Sequence, residues 1–225
     1  MAESCLLYYI TDRTAFPGDE TKRRSLLLDK IAEAITHNVD YIQLREKDLS
    51  ARDLESLARE AAYMIQTLKT ENRELRTALL INSRTDVALA ASADGVHLPA
   101  NDIFPEEATA AWRNGTRGSV RELSPRSPLI AVSCHSPQEV FQAAANQATL
   151  ALFAPVFEKI HFPNSTPTGL KALRHACRAP IPVLALGGVT LPNARSCLEA
   201  GAAGIAAIRL FQENDIGKIV TALRS

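Results

Sequence analysis

Short apolar runs recur along the chain, and each stops at polar or small residues. Leu6-Leu7-Tyr8-Tyr9-Ile10 gives way to Thr11-Asp12-Arg13, Tyr41-Ile42-Gln43-Leu44 to Arg45-Glu46-Lys47-Asp48, and Ala78-Leu79-Leu80-Ile81 to Asn82-Ser83-Arg84. Gly95-Val96-His97-Leu98, Leu129-Ile130-Ala131-Val132, Leu150-Ala151-Leu152-Phe153, Val183-Leu184-Ala185-Leu186 and Gly204-Ile205-Ala206-Ala207-Ile208 continue the series. Continuous apolar runs of this length fit strands covered on both faces.

Helical spacing fills the intervals. Leu26, Leu27, Ile31, Ala34 and Ile35 share one face, as do Leu54, Leu57, Ala58, Ala61 and Ile65. Ser50 with Asp53, and Ser136-Pro137 with Glu139, carry helix-start signals. Thr190 with Pro192 does the same after Gly187-Gly188. Residues 86–91, 106–112 and 216–223 are expected to be helical, with loops over 113–128 and from Pro155 to about Thr168. Eight strands alternating with helices imply right-handed βαβ units and a parallel sheet. The expected fold is therefore α/β, a single (β/α)8 TIM barrel forming one domain over residues 1–225, with an open doubly wound sheet as the alternative.

Composition narrows the partners. Twenty-five Lys and Arg balance 25 Asp and Glu, and aromatic residues are 5% of the chain, so neither a nucleic-acid surface nor a membrane surface is expected. Cys5, Cys134, Cys177 and Cys197 lack metal or redox spacing and read as small buried hydrophobes. Met1-Ala2-Glu3-Ser4 shows neither a basic segment nor an apolar run of signal-peptide type, and a cytoplasmic protein is expected.

A barrel places its active site at the C-terminal ends of its strands. Gln43, Arg45, Lys47, Asn82, His97, Ser133, His135, Lys159, Gly187, Gly188, Ile208 and Arg209 all fall at or beyond strand ends. The loops after strands seven and eight commonly bind phosphate. Gly187 and Gly188 allow φ > 0 and close approach of a ligand, backbone near Ile208 and Arg209 offers N–H groups, and the Arg209 guanidinium can add a charged contact. Arg45 and Lys47 can hold a second anionic group, or instead close a salt-bridge ring with Glu46, Asp48 and their neighbours. His135 can move a proton near neutral pH. His97, on a brief strand with apolar neighbours, is assigned to packing or to support of the site. His161 lies in the sixth loop, and His37 and His175 read as surface residues. Asp102 is the only acidic residue of the fourth loop, so a magnesium ion there needs a ligand from elsewhere.

These segments occur in a familiar order. Tyr9-Ile10-Thr11-Asp12, Gln43-Leu44-Arg45-Glu46-Lys47, Asn82 with Arg84 and Asp86, Asp94-Gly95-Val96-His97-Leu98, Val132-Ser133-Cys134-His135-Ser136, Pro155-Val156-Phe157 and Gly187-Gly188-Val189-Thr190 resemble the thiamin phosphate synthase/TenI superfamily over about residues 7–212. The resemblance implies a barrel that binds thiamin precursors. In one branch it implies a magnesium-dependent transferase that joins hydroxymethylpyrimidine diphosphate to a thiazole phosphate. In the TenI branch it implies a metal-independent thiazole tautomerase. The chain departs from the synthase pattern at three places. Ser83 stands where synthases carry Asp after Asn; Glu158-Lys159-Ile160-His161 stands in place of a Thr-x-Thr-Lys segment; Arg209 stands where Ser follows Ile. Losing a carboxylate weakens a hard-cation site, and Glu158 repels a diphosphate.

The expected activity is therefore tautomerisation without a cofactor. His135 would carry the proton, Arg45 and Lys47 the substrate carboxylate, and Gly187, Gly188 and backbone near Ile208 the phosphate. The alternatives are a divergent synthase with Mg2+ at Asp102, and a non-catalytic phosphate-ligand binder with a regulatory role. A homodimer is compatible with the resemblance, and the sequence does not decide the oligomeric state.

Overall fold

The computed structural model describes residues 5–116, 127–158 and 166–225. Eight parallel strands close a barrel in sequence order. They are β1 (Leu6–Ile10), β2 (Tyr41–Leu44), β3 (Ala78–Asn82), β4 (Gly95–Leu98), β5 (Leu129–Cys134), β6 (Leu150–Phe153), β7 (Val183–Ala185) and β8 (Gly204–Ala207). The pairing of β1 with β8, Leu6 opposite Gly204 through Tyr9 opposite Ala207, removes the free edges of an open sheet. The doubly wound alternative is thereby excluded.

Alternate residues divide between two cores, as the period of a strand requires. Tyr8, Ile10, Leu80, Ala131, Leu152, Leu184 and Ala206 point inward and fill the barrel. Leu7, Tyr9, Ile42, Leu79, Val96, Phe153 and Ile205 point outward onto the helices. Each fully buried Leu or Ile contributes about 2–3 kcal/mol of hydrophobic stabilisation.

The outer layer holds α1 (Glu20–Thr36), α2 (Ala51–Glu71), α3 (Thr85–Ala90), α4 (Pro105–Thr116), α5 (Pro137–Ala145), α6 (Gly169–Ala176), α7 (Leu191–Glu199), α8 (Arg209–Gln212) and α9 (Ile216–Arg224). The Ser50 hydroxyl accepts from the Asp53 amide at 3.2 Å, and Ser136 accepts from Glu139 at 3.2 Å, the expected caps. The fold corrects several boundaries. α4 continues to Thr116, into the segment expected to be loop; residues 117–126 lie outside the described part. β5 runs to Cys134 because Ser133 and Cys134 stay paired with Leu152 and Phe153 of β6. β7 stops at Ala185, although the Leu186 amide still donates to the Phe153 carbonyl at 3.0 Å. The single turn of α8, directly after β8, carries no periodic signal of its own.

All four cysteines are unpaired thiols, and Cys5, Cys134 and Cys197 are buried. His37 and His175 are exposed. No helix among the described residues is long and apolar enough to cross a membrane. At the N-terminal face of the barrel, Arg224 of α9 donates to Asp40 Oδ2 at 2.6 Å and to the Asn38 carbonyl at 3.0 Å. This tie locks the last helix beneath β1 and β2.

Candidate active site at the C-terminal mouth

The β1 and β2 loops are joined by a buried charge cluster. Arg13, in a 3-10 turn over Arg13–Ala15, is 3% exposed, and Glu46 is 4% exposed. The Arg13 guanidinium donates to Glu20 Oε1 at 2.7 Å, to Glu46 Oε2 at 3.2 Å, and to both carboxylate oxygens of Asp48 at 2.7 and 2.8 Å. Its fork holds the Asp48 carboxyl below the ordinary range. The Thr11 hydroxyl donates to Glu46 Oε1 and accepts from the Arg45 amide at 3.0 Å. The alternative ring among Arg45, Glu46, Lys47 and Asp48 does not form, because Arg13 takes both carboxylates. The side chains of Arg45 and Lys47 make no hydrogen bond or ion pair with another described residue.

Inside the barrel, His97 bridges Tyr8 and Ser133. Its Nδ1 lies 3.0 Å from Tyr8 Oη and its Nε2 lies 2.8 Å from Ser133 Oγ. Burial, with a smaller contribution from the Arg45 charge, pushes the imidazole down to about 3, so it is neutral. A neutral imidazole has one donor and one acceptor nitrogen. Tyr8 is fully buried and has no second partner among the described residues, so its hydroxyl hydrogen goes to Nδ1. Nε2–H then donates to Ser133, whose own hydrogen is left for a ligand. His97 thus fixes the orientation of Ser133 at the mouth.

Gln43 is 1% exposed and donates from Nε2 to Asn82 Oδ1 at 2.8 Å. Asn82 Nδ2 donates to Ser83 Oγ at 3.1 Å. Gln43 Oε1 is buried with no partner. A buried acceptor left bare costs about 1–3 kcal/mol, a cost a ligand donor would relieve. Ser83 sits at φ +60°, the left-handed region, and its amide donates to the His97 carbonyl at 2.9 Å. Lys47, Asn82, Ser83 and Pro99 line a cavity of about 290 Å3. Pro99, Asp102 and Ser133 line a smaller one of about 90 Å3, so the two cavities share Pro99. Asp102 accepts from the Ile103 amide at 2.8 Å. Among the described residues no group of three or more His, Cys, Asp or Glu side chains could hold a metal ion.

His135 is exposed at the end of β5. Its amide donates to Glu139 Oε2 at 2.7 Å, so the cap of α5 also fixes this residue. Its Nδ1 lies 2.7 Å from the Ala154 carbonyl oxygen, which can only accept. In the neutral ring Nδ1 therefore carries the hydrogen, and Nε2 keeps a lone pair.

The β7 and β8 loops are built from backbone. Gly187 and Gly188 have φ +90° and +67°. A Cβ on Gly188 would lie 2.5 Å from the Glu158 carbonyl oxygen and 2.8 Å from Phe157 Cβ. The close approach expected from a ligand at this glycine is thus made by the chain's own sixth loop. The Val156 and Phe157 amides donate to the carbonyls of Leu186 and Gly187 at 2.9 and 3.0 Å. The amides of Gly187, Gly188, Ile208 and Arg209 donate to no other described residue. The Arg209 guanidinium is half-exposed, 3.6 Å from Glu213 one turn along. Lys159 and His161 lie outside the described residues.

Cations on one side of the mouth, amides without a described partner on the other, and polar side chains between them give this (β/α)8 barrel a mouth lined by donors. The family model for thiamine monophosphate synthase matches residues 7–211, and the chain belongs to that family. It is 34% identical over 208 residues to a putative thiamine-phosphate synthase 2 of Aquifex aeolicus, covering 92% of this chain and 97% of the relative. It is 35% identical over 221 residues to a thiamine-phosphate synthase of Methanoculleus marisnigri, covering 97% and 93%. A thiamine phosphate pyrophosphorylase structure from Pyrococcus furiosus superposes with a TM-score of 0.74 at 28% identity, over 99% of this chain and 95% of that one. These relatives are named as synthases, and the comparisons do not single out the tautomerase branch.

Proposed function

We propose that the protein is a transferase that joins hydroxymethylpyrimidine diphosphate to a thiazole phosphate, giving thiamin phosphate and diphosphate. This replaces tautomerisation as the leading reading. The observation that carries it is the pair of cations after β2, Arg45 and Lys47, whose side chains have no ion-pair partner among the described residues and of which Lys47 lines the 290 Å3 cavity. A single substrate carboxylate would need one cation, whereas a diphosphate carries enough charge for both. The bare Gln43 Oε1 supports the same choice, because the aminopyrimidine brings an N–H donor and the thiazole ring has none.

Arg45 and Lys47 bind the diphosphate in this reading, and Lys159 is a third cation for it. Ser133, oriented by His97, donates to a substrate oxygen, and Gln43 and Asn82 fix the pyrimidine. The amides of Gly187, Gly188, Ile208 and Arg209 hold the thiazole phosphate. The ring nitrogen of the thiazole bonds to the pyrimidine methylene carbon as that carbon's bond to diphosphate oxygen breaks. Asp102, with Ser83 in place of a second carboxylate, would by itself hold Mg2+ only weakly. When bound, the ion would neutralise charge on the leaving diphosphate.

A second reading, thiazole tautomerisation, is favoured by His135, whose free Nε2 is a ready proton acceptor. One assay separates them: both precursor sets, with and without magnesium, on wild type and His135→Ala. Magnesium-dependent diphosphate release that survives His135→Ala supports the transferase. Metal-independent tautomerisation abolished by His135→Ala overturns it. Binding of thiazole phosphate with no turnover overturns both and leaves a non-catalytic binder.

A further inference from the structure

The segment after β2 alternates in charge, Arg45-Glu46-Lys47-Asp48, and sums to zero. Without help from elsewhere, its two carboxylates are the nearest counter-charges to its two cations. In the folded chain both carboxylates turn to Arg13. The Arg13 side chain is 4% exposed and surrounded by three carboxylates, of which Glu46 is buried and Asp48 is 57% exposed at its side chain. Pinning the two loops together would need Glu46 alone, which also accepts from the Arg13 amide at 3.0 Å. The two-pronged hold on Asp48, a half-exposed carboxylate next to Lys47 in the chain, goes beyond what pinning the loops requires.

We propose that Arg13 is a positioning residue that keeps the anion station open, engaging the Glu46 and Asp48 carboxylates itself so that Arg45 and Lys47 remain available to an incoming diphosphate. The proposal rests on the reading above that those two cations bind diphosphate. It assigns Arg13 no contact with substrate. Its effect runs through which carboxylates face the cations, so it is separable from a purely structural role.

The test is a double-variant cycle read by calorimetric titration of inorganic diphosphate into the free enzyme, with melting followed in parallel. Arg13→Lys keeps the charge and loses the fork, and is expected to weaken diphosphate binding about tenfold. Asp48→Asn in the wild-type background is expected to change binding less than about twofold, because Arg13 already neutralises that carboxylate. Asp48→Asn added to Arg13→Lys is expected to restore affinity to within about threefold of wild type. A structural pin would leave the binding of the folded fraction unchanged and could not be rescued by removing Asp48. Wild-type affinity in Arg13→Lys overturns the proposal. So does an Asp48→Asn gain equal in both backgrounds. If wild type itself binds no diphosphate, the transferase reading fails and the proposal falls with it; binding by wild type with additive variants overturns the proposal alone. Should Arg13→Lys not fold, Arg13→Gln/Glu46→Gln removes both buried charges and releases Asp48, and the same cycle is read in that background.

Discussion

The two sides of the barrel mouth are made differently. From β1 to β5 the site is assembled from side chains that reach across strands: Arg13 to Glu46 and Asp48, Tyr8 to His97 to Ser133, Gln43 to Asn82 to Ser83. At β7 and β8 it is assembled from main chain: two glycines with positive φ, the sixth loop laid against one of them, and amides without a partner among the described residues. The first side depends on which residues are present. The second depends on what the backbone can do, and tolerates side-chain change wherever φ is ordinary. Substitutions on the two sides should therefore fail in different ways, the first in binding and charge, the second in loop geometry.

The largest effect is expected on the side-chain half. Each charge-assisted contact to a bound phosphoryl group is worth about 1.5–3 kcal/mol. Arg45→Ala/Lys47→Ala should thus lower kcat/KM for the diphosphate substrate on the order of a thousandfold, about 4 kcal/mol. The melting temperature should hold, since neither side chain has a partner to lose among the described residues. Steady-state kinetics with each substrate varied in turn checks this. An equal loss in KM for the thiazole phosphate would break the division between the two sides.

Next comes acid sensitivity. The His97 imidazole stays neutral in the folded chain down to about 3, against an ordinary value of 6.5. Between those values the unfolded chain binds a proton that the folded chain does not, so stability rises with pH there and is lost on acidification. Taking the protein from neutral pH to about pH 4 should cost about 3 kcal/mol through this group alone. Denaturant melts of wild type and His97→Asn at a series of pH values isolate it, and the variant should show a flatter acid limb. Identical slopes would mean that His97 is solvated and that the bridge from Tyr8 to Ser133 does not persist.

On the main-chain half the corresponding test is Gly188→Ala. The new Cβ meets the Glu158 carbonyl at 2.5 Å on a backbone held at φ +67°. Crowding and the left-handed conformation together should cost about 2–3 kcal/mol, a fall in Tm of roughly 5–10 °C for a chain of this size. A melt decides it. An unchanged Tm would mean that the sixth loop does not rest on Gly188.

The fold was legible because its signals are local. Apolar runs closed by polar residues, and caps such as Ser50 and Ser136, act within a few positions of each other, and they mark the strands and helix starts. The location of most candidate residues at the mouth followed, because a closed barrel brings all strand ends to one face. Partner choice was not legible. Arg13 is 33 positions from Glu46, and Tyr8 is 89 from His97. No spacing rule says that Glu46 and Asp48 will turn to Arg13 when Arg45 and Lys47 lie beside them. Gly188 shows the converse: the need for a glycine was readable, but its cause, the sixth loop against it, depends on β6 pairing beside β7 and on the path of the loop between them. The choice of chemistry was the least legible. Ser83 and Glu158 are departures from a pattern, and a departure does not say what the remaining residues bind.

The smallest expected effect is the sharpest test of the main-chain half. Arg209 carries a full positive charge beside amides assigned to a phosphate, and a sequence reading gives its guanidinium a share of that phosphate. Its side chain lies against Glu213 instead, both groups about half in solvent. An exposed pair of this spacing is worth about 0.3–0.5 kcal/mol. If the phosphate is held by the Ile208 and Arg209 amides, the side chain beyond Cβ is dispensable. Arg209→Ala should then shift Tm by no more than about 2 °C and KM for the thiazole phosphate by less than about twofold. Raising the ionic strength should leave the ratio of variant to wild-type KM unchanged, because no exposed charge has been taken from the phosphate. A tenfold rise in KM that shrinks with added salt would place the guanidinium on the phosphate after all, and the two sides of the mouth would then be built alike.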